Sequence, residues 1–317
     1  MLAAAIDAGT NTFRLLIAEP VVGARVPWRD LVREQRIVRL GEGLRATRRL
    51  QPAPMERALD ALRHFAALLH RHRVPPARCV AVATAAVREA SNGQAFLARV
   101  REETGIALRP ISGEEEARLS LRGAYAALDA GIAQPWLLAD IGGGSTELVC
   151  ARNDCVLDAA SLPIGVVRLT EACLRHDPPR GQELDRLRRE VEAAIAPLWR
   201  RWEQKGVLPQ ALVATAGTPT TLAAYALDLS HYDPARVQGF FFSPSAWRKL
   251  RDELLAKPAA ERAQHPMIPP RRADVLAAGI VILDALQSRF GGFYVSDAGL
   301  LEGLWLAASG KSTGVRS

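Results

Sequence analysis

Asp7-Ala8-Gly9-Thr10-Asn11-Thr12 and Asp140-Ile141-Gly142-Gly143-Gly144-Ser145-Thr146-Glu147 decide how this chain reads. In each, an apolar run ends on a carboxylate, and glycines and hydroxyl residues follow before a second apolar run begins. Ala3–Asp7 and Phe13–Ala18 read as strands around the first stretch, Trp136–Ile141 and Thr146–Cys150 as strands around the second. Asp and Gly are common in tight hairpins for conformational reasons alone, and one such turn would mean little. Repetition of the whole strand, turn, strand unit suggests more. Backbone N–H groups at Gly9, Thr10 and Asn11, and at Gly142, Gly143, Gly144 and Ser145, would approach phosphate oxygens, while Asp7 and Asp140 would hold a hydrated Mg²⁺. A third turn of the same flavour, Ala216-Gly217-Thr218-Pro219-Thr220-Thr221, carries a proline.

Outward from the turns, strands alternate with helices. Leu31–Leu40 reads as a third strand and Gly41–Arg49 as a Gly/Arg-rich turn. Pro52–Arg73 has helical spacing, with Leu59, Leu62, Phe65, Ala66 and Leu69 on one face. Cys79–Ala83 is a strand, Thr84–Asn92 a turn, and Asn92–Thr104 a helix closed by Gly105. In the second half, Glu183–Gln204, Gly217–Leu227, Arg271–Gln287 and Leu300–Ala308 read as helices, Ala211–Thr215 and Phe293–Ser296 as strands. The class is therefore α/β. The length, 317 residues, fits two domains of ~100–200 residues.

Composition excludes several classes. With 49% hydrophobic and 24% charged residues the chain has the balance of a folded soluble protein rather than a disordered one. The uncharged run Val275–Leu283, bounded by Asp274 and Asp284, falls far short of the ~20 residues of a membrane span. Asp7 interrupts the N-terminal apolar run and no basic stretch precedes it, so secretion is not expected. Four irregularly spaced cysteines, Cys79, Cys150, Cys155 and Cys173, make neither a disulfide framework nor a zinc site, which fits a reducing cytoplasm. The net charge of +7 suits nucleic acid, an acidic membrane surface or a polyanionic small substrate, and composition does not choose among them.

Two looser phosphate signatures fail. Gly310-Lys311-Ser312 ends like a Walker A loop, but Trp305 stands where that loop needs its earlier glycine. Gly41-Glu42-Gly43-Leu44-Arg45-Ala46 fits a dinucleotide pattern, yet Arg48, Arg49 and Pro52 follow where a packed helix should run. Arg39, Arg45, Arg48 and Arg49 form a basic patch, mostly surface charge, that would attract a polyanion. Ser112-Gly113-Glu114-Glu115-Glu116-Ala117-Arg118 opens a helix on which the three carboxylates point in different directions. Ser112 and Glu115 fit a capping box there. Arg88 lies just beyond the Cys79–Ala83 strand, either as a solvated arginine or as a guanidinium clamping two phosphate oxygens.

The order DAGTNT, RLGEGL (Arg39–Leu44), TAAVREASN (Thr84–Asn92), SGEEEAR (Ser112–Arg118), DIGGGSTEL, RADVLAAG (Arg272–Gly279) and SDAGLLEG (Ser296–Gly303) closely resembles the exopolyphosphatase / guanosine pentaphosphate phosphohydrolase (Ppx/GppA) family, within the sugar kinase, Hsp70 and actin ATPase superfamily. The resemblance implies two ribonuclease H-like (actin-like ATPase) domains flanking an active-site cleft, at residues 1–122 and 123–317, with the final helix at about 300–310 packing back onto the first. It implies that Glu116 is the general base, that Arg88 binds phosphate, and that Asp140, with Asp7 and Glu147, holds Mg²⁺, Mn²⁺ being the alternative ion. The implied activity is hydrolysis of the terminal phosphoanhydride of inorganic polyphosphate. Guanosine pentaphosphate (pppGpp) is the alternative substrate, and a non-catalytic polyphosphate-binding protein the third reading. A cytoplasmic homodimer without nucleic-acid or membrane partners is expected, and no HD-type domain after SDAGLLEG.

Overall fold

The computed structural model describes residues 2–24, 26–129 and 131–310. Lys311 and Ser312 of the Walker-like match, and the rest of the expected second domain beyond Gly310, lie outside the described residues. The chain divides into two compact units, one running to Ala127 and resuming at Ala298, the other Leu128–Asp297.

The first unit begins with the meander β1 (Ala3–Ala8), β2 (Thr12–Pro20) and β3 (Trp28–Ile37), followed by α1 (Leu44–Thr47) and α2 (Pro52–Arg71). Then come β4 (Cys79–Ala83), α3 (Ala85–Glu89), α4 (Gly93–Thr104), β5 (Arg109–Pro110) and α5 (Gly113–Ala127). The sheet order is β3-β2-β1-β4-β5, antiparallel in the meander and parallel from β1 outward. Side chains alternate across a strand, so β1 serves two cores at once. Ala4, Ile6 and Ala8 pack with Leu59, Leu62 and Phe65 of α2, while Ala3 and Ala5 join Leu300, Leu304 and Trp305. Asp7 is in phase with the second set.

The second unit repeats the plan with β6 (Trp136–Ile141), β7 (Thr146–Arg152) and β8 (Cys155–Leu162), then α6 (Val166–Cys173), α7 (Gly181–Lys205), β9 (Ala211–Thr215) and α8 (Gly217–Ala226). A helical stretch follows: α9 (Pro234–Val237), β10 (Phe241–Phe242), α10 (Pro244–Ala256), α11 (Ala259–Arg262), α12 (Pro270–Ala273) and α13 (Leu276–Gln287), ending in β11 (Phe293–Ser296). Its sheet runs β8-β7-β6-β9-β11-β10, so the first five strands repeat the order and sense of the first sheet. Leu137, Ala139 and Ile141 of β6 face the main core, which leaves Asp140 on the other side of the sheet.

The chain then returns to the first unit as α14 (Leu300–Ala308). Glu302 in its first turn is buried, accepting from the Gly299 N–H at 2.7 Å and from Arg33 Nη1 at 2.6 Å. The Trp305 indole donates to the Ala3 carbonyl at 3.1 Å. The crossing with α5 is made by glycines: a Cβ on Gly303 would stand 1.9 Å from the Leu119 carbonyl oxygen, and one on Gly123 1.9 Å from that of Gly299.

The expected boundary at 122/123 falls inside α5, and the division comes instead where that helix ends, at Ala127. The single helix expected over Arg271–Gln287 is two, α12 and α13. The expected turns Gly41–Arg49 and Thr84–Asn92 each contain a short helix, α1 and α3. No helix among the described residues is long and apolar enough to cross a membrane.

Candidate active site

Both hairpin turns are built the same way. The Gly9 N–H donates to the Thr12 carbonyl at 3.2 Å, and the Gly142 N–H to the Ser145 carbonyl at 3.0 Å. Both positions favour glycine, because a Cβ would stand 2.9 Å from the Thr12 carbonyl oxygen at Gly9 and 3.0 Å from that of Ser145 at Gly142. The carbonyls within each turn are bound by a later segment. Gly41 N–H donates to Thr10, and Val38 and Arg39 N–H both to Asn11. In the second unit Val166 N–H donates to Gly142, Val167 N–H to Gly143, and Arg168 Nε to Gly144 at 3.0 Å.

The Gly9 and Gly142 N–H groups, expected to approach phosphate, are instead used inside the turns, whereas those of Thr10, Asn11, Gly143 and Gly144 have no acceptor among the described residues. Buried backbone donors are almost always satisfied, and two adjacent open N–H groups in each turn are donors that could bind an anion. Thr10 Oγ1 and Asn11 Oδ1 are buried and likewise without a hydrogen-bond partner among the described residues.

The carboxylates at the strand ends differ between the units. Asp7 lies directly across the ladder from Arg14, whose Nη1 is 4.0 Å from Asp7 Oδ2. At the corresponding place in the second unit Asp140 lies across from Glu147, whose Oε1 accepts from Ser161 Oγ at 2.7 Å. All three carboxylates are buried. Two carboxylates directly opposed on one sheet face repel each other, whereas a cation between them would be stabilised. Among the described residues no three His, Cys, Asp or Glu side chains gather into a metal cluster. Mg²⁺ holds most of its water and commonly takes only one or two carboxylates, so the hard oxygens of Asp140 and Glu147 fit it, and Mn²⁺ equally.

In α5 the three glutamates separate. Glu114 points outward, 3.4 Å from Arg118, and Glu115 receives both arms of Arg109 at 2.6 and 2.9 Å. Only half of the expected capping box forms: the Glu115 N–H donates to Ser112 Oγ at 3.1 Å, while the Glu115 carboxylate goes to Arg109. Glu116 alone is buried, its Oε2 3.7 Å from Arg88 Nη1. Arg88, the last-turn residue of α3, donates from Nη1 to the Ile111 carbonyl at 2.6 Å. The guanidinium is therefore fixed beside the one inward-facing glutamate, with part of its surface still accessible. Sequence reasoning missed Arg14, Arg168 and the Ile111 carbonyl. Arg14, the single charge inside the run Phe13–Ala18, was the one visible signal among them.

Two duplicated α/β units with paired phosphate-type turns define a protein of the actin-like ATPase fold. The chain belongs to the Ppx/GppA phosphatase family, whose model matches residues 16–311. It is 38% identical to exopolyphosphatase 2 of Mycobacterium tuberculosis over 97% of this chain and 98% of that protein. Among solved structures it resembles an exopolyphosphatase from Cytophaga hutchinsonii, with TM-score 0.90 and 29% identity over 99% of this chain and 100% of that one. The Ppx/GppA family member of Aquifex aeolicus gives TM-score 0.77 and 32% identity over 97% of each chain.

Proposed function

We propose that the protein is a Mg²⁺-dependent exopolyphosphatase that releases orthophosphate from the end of inorganic polyphosphate. The observation that carries this reading is its similarity, over nearly the whole of both chains, to a protein described as an exopolyphosphatase. Within the reading, the N–H groups of Thr10 and Asn11 in the first unit, and those of Gly143 and Gly144 in the second, each serve as donors to phosphate oxygens, and Arg88 stabilises charge developing on the transferred phosphoryl group. Glu116 takes a proton from the attacking water as its oxygen bonds to the terminal phosphorus. The bridging P–O bond breaks, and the shortened chain leaves carrying the electron pair. Asp140 and Glu147 of the second unit would hold Mg²⁺, which would supply charge neutralisation on the phosphates.

The test is Mg²⁺-dependent phosphate release from long-chain polyphosphate, tripolyphosphate, pppGpp and ATP at matched phosphate concentration. The excess of positive charge favours the longest polyanion, so polyphosphate should give the highest kcat/KM. A much higher value for pppGpp would make the protein a guanosine pentaphosphate phosphohydrolase instead.

A further inference from the structure

We propose that Arg45, Arg48 and Arg49 form a docking strip for the phosphates of a polyphosphate chain beyond those at its reacting end. The inference rests on the exopolyphosphatase reading and deepens it, since it assigns residues to chain-length preference. The segment that carries these arginines is fastened at its start to the first hairpin turn and at its end to residues just beyond the helix of Arg88. At its start, Gly41 N–H donates to the Thr10 carbonyl at 2.9 Å, and Val38 and Arg39 N–H to that of Asn11. At its end, the Ser91 N–H and Oγ both donate to the Arg48 carbonyl, at 2.9 and 3.1 Å. The Asn92 amide accepts from the Leu50 N–H at 2.8 Å and donates to the Leu50 carbonyl at 3.0 Å. Ser91 and Asn92 lie one and two residues past Ala90, the cap of the helix that carries Arg88. The strip thus runs, within one unit, from the first phosphate turn to the flank of the Arg88 helix.

The arginines of the strip differ from their neighbours in having no partner. Arg57 is paired with Glu42, Arg63 with Asp60 and Glu103, and Arg99 with Glu56 and Glu103. The side chains of Arg45, Arg48 and Arg49 are exposed and make no ion pair or hydrogen bond among the described residues. Glu42 is the one acidic residue between Arg39 and Leu50, and Arg57 already holds it at 2.7 Å. Arg48 is further pinned in the left-handed region, at φ 58°, a conformation that costs energy for a side chain of its size. Three unpaired guanidinium groups on a fastened segment fit a ligand made of identical, closely spaced phosphates, because the guanidinium fork matches phosphate geometry and no existing pair must be broken.

The test compares the triple substitution Arg45→Gln, Arg48→Gln, Arg49→Gln with a charge-matched control on α7, Arg186→Gln, Arg189→Gln, Arg200→Gln. KM is measured for tripolyphosphate and for long-chain polyphosphate, and long-chain binding is measured without Mg²⁺ across a salt series. The strip variant should lose chain-length preference, the ratio of the two KM values falling about fivefold or more. Its log-log salt dependence of binding should become shallower by about two to three, one phosphate contact for each arginine removed. Lysine at the same three positions should restore the slope, and the control should move neither quantity. Equal changes for both substrates, an unaltered slope, or the same response from the control would overturn the proposal. If the wild type hydrolyses neither polyphosphate, the exopolyphosphatase reading falls, and the binding slope still judges the strip by itself.

Discussion

Glu114, Glu115 and Glu116 are neighbours in sequence and opposites in circumstance. Glu115 is tied up by the Arg109 fork, which holds its carboxyl below the usual range, whereas Glu116 is buried beside Arg88. Glu116→Gln keeps the shape and removes the proton acceptor, so kcat should fall ~10²–10⁴-fold while phosphate binding survives. Glu115→Gln loses a largely exposed ion pair and should change stability by no more than ~1 kcal/mol and kcat hardly at all. Rates and binding for the two variants, measured side by side, check both outcomes; equal losses would place the base elsewhere. The cysteines give a second prediction at this scale. Burial pushes the thiols of Cys79 and Cys150 up to about 11, leaving roughly one thiolate in a thousand at pH 8. Iodoacetamide at that pH should therefore modify the exposed Cys155 long before Cys79 or Cys150, as a mass-resolved time course would show.

At the scale of elements, α5 is positioned by its glycine crossing with α14, and α5 carries Glu116. Gly303→Ala drives a methyl group against the Leu119 carbonyl, which should lower the unfolding free energy by about 1–3 kcal/mol, read from urea denaturation. Because the helix must shift to relieve the clash, kcat should fall further than stability alone explains. The start of α7 responds to acid instead. Glu183 accepts the N–H of Arg180 at 2.9 Å and that of Arg175 at 2.7 Å, beside His176, and its carboxyl is pulled down to about 2. A carboxyl lowered in the folded state stabilises above its ordinary pKa, ~4.5, and that contribution disappears as pH falls through the lowered value. Glu183→Gln should therefore lower stability near neutrality and flatten the profile between about pH 4.5 and 2, where the wild type loses the same contribution, a difference visible in acid titrations followed by circular dichroism.

These elements also show what the sequence could and could not reveal. β1, β4, β6, β9, β11 and α14 were legible because each is a short apolar or periodic run closed by a strong breaker. β8 was not: Cys155–Leu162 is an exposed edge strand with little alternation. α1 and α3 are too short to display a helical period. Local turn chemistry exposed the Asp and Gly positions of both hairpins. Arg14, Arg168 and the Ile111 carbonyl acquire their roles from ladder register and from segments far along the chain, which no local pattern encodes.

For the whole molecule, the informative feature is one sheet plan used twice with one substitution in kind: across from its strand-end aspartate the first unit places Arg14, and the second places Glu147. An aspartate with an arginine opposite suits phosphate directly, and an aspartate with a glutamate opposite suits a cation that then meets phosphate. On the proposed function, Asp140 and Mg²⁺ are both indispensable for releasing phosphate from polyphosphate. The measurement that tests this most directly is phosphate release from long-chain polyphosphate as a function of Mg²⁺ concentration, for the wild type and for Asp140→Ala. The wild type should turn over only with Mg²⁺, and Asp140→Ala should stay folded by circular dichroism yet lose that dependence together with its activity. A wild type inert toward polyphosphate at every Mg²⁺ concentration, or an Asp140→Ala variant with full Mg²⁺-dependent turnover, would contradict it.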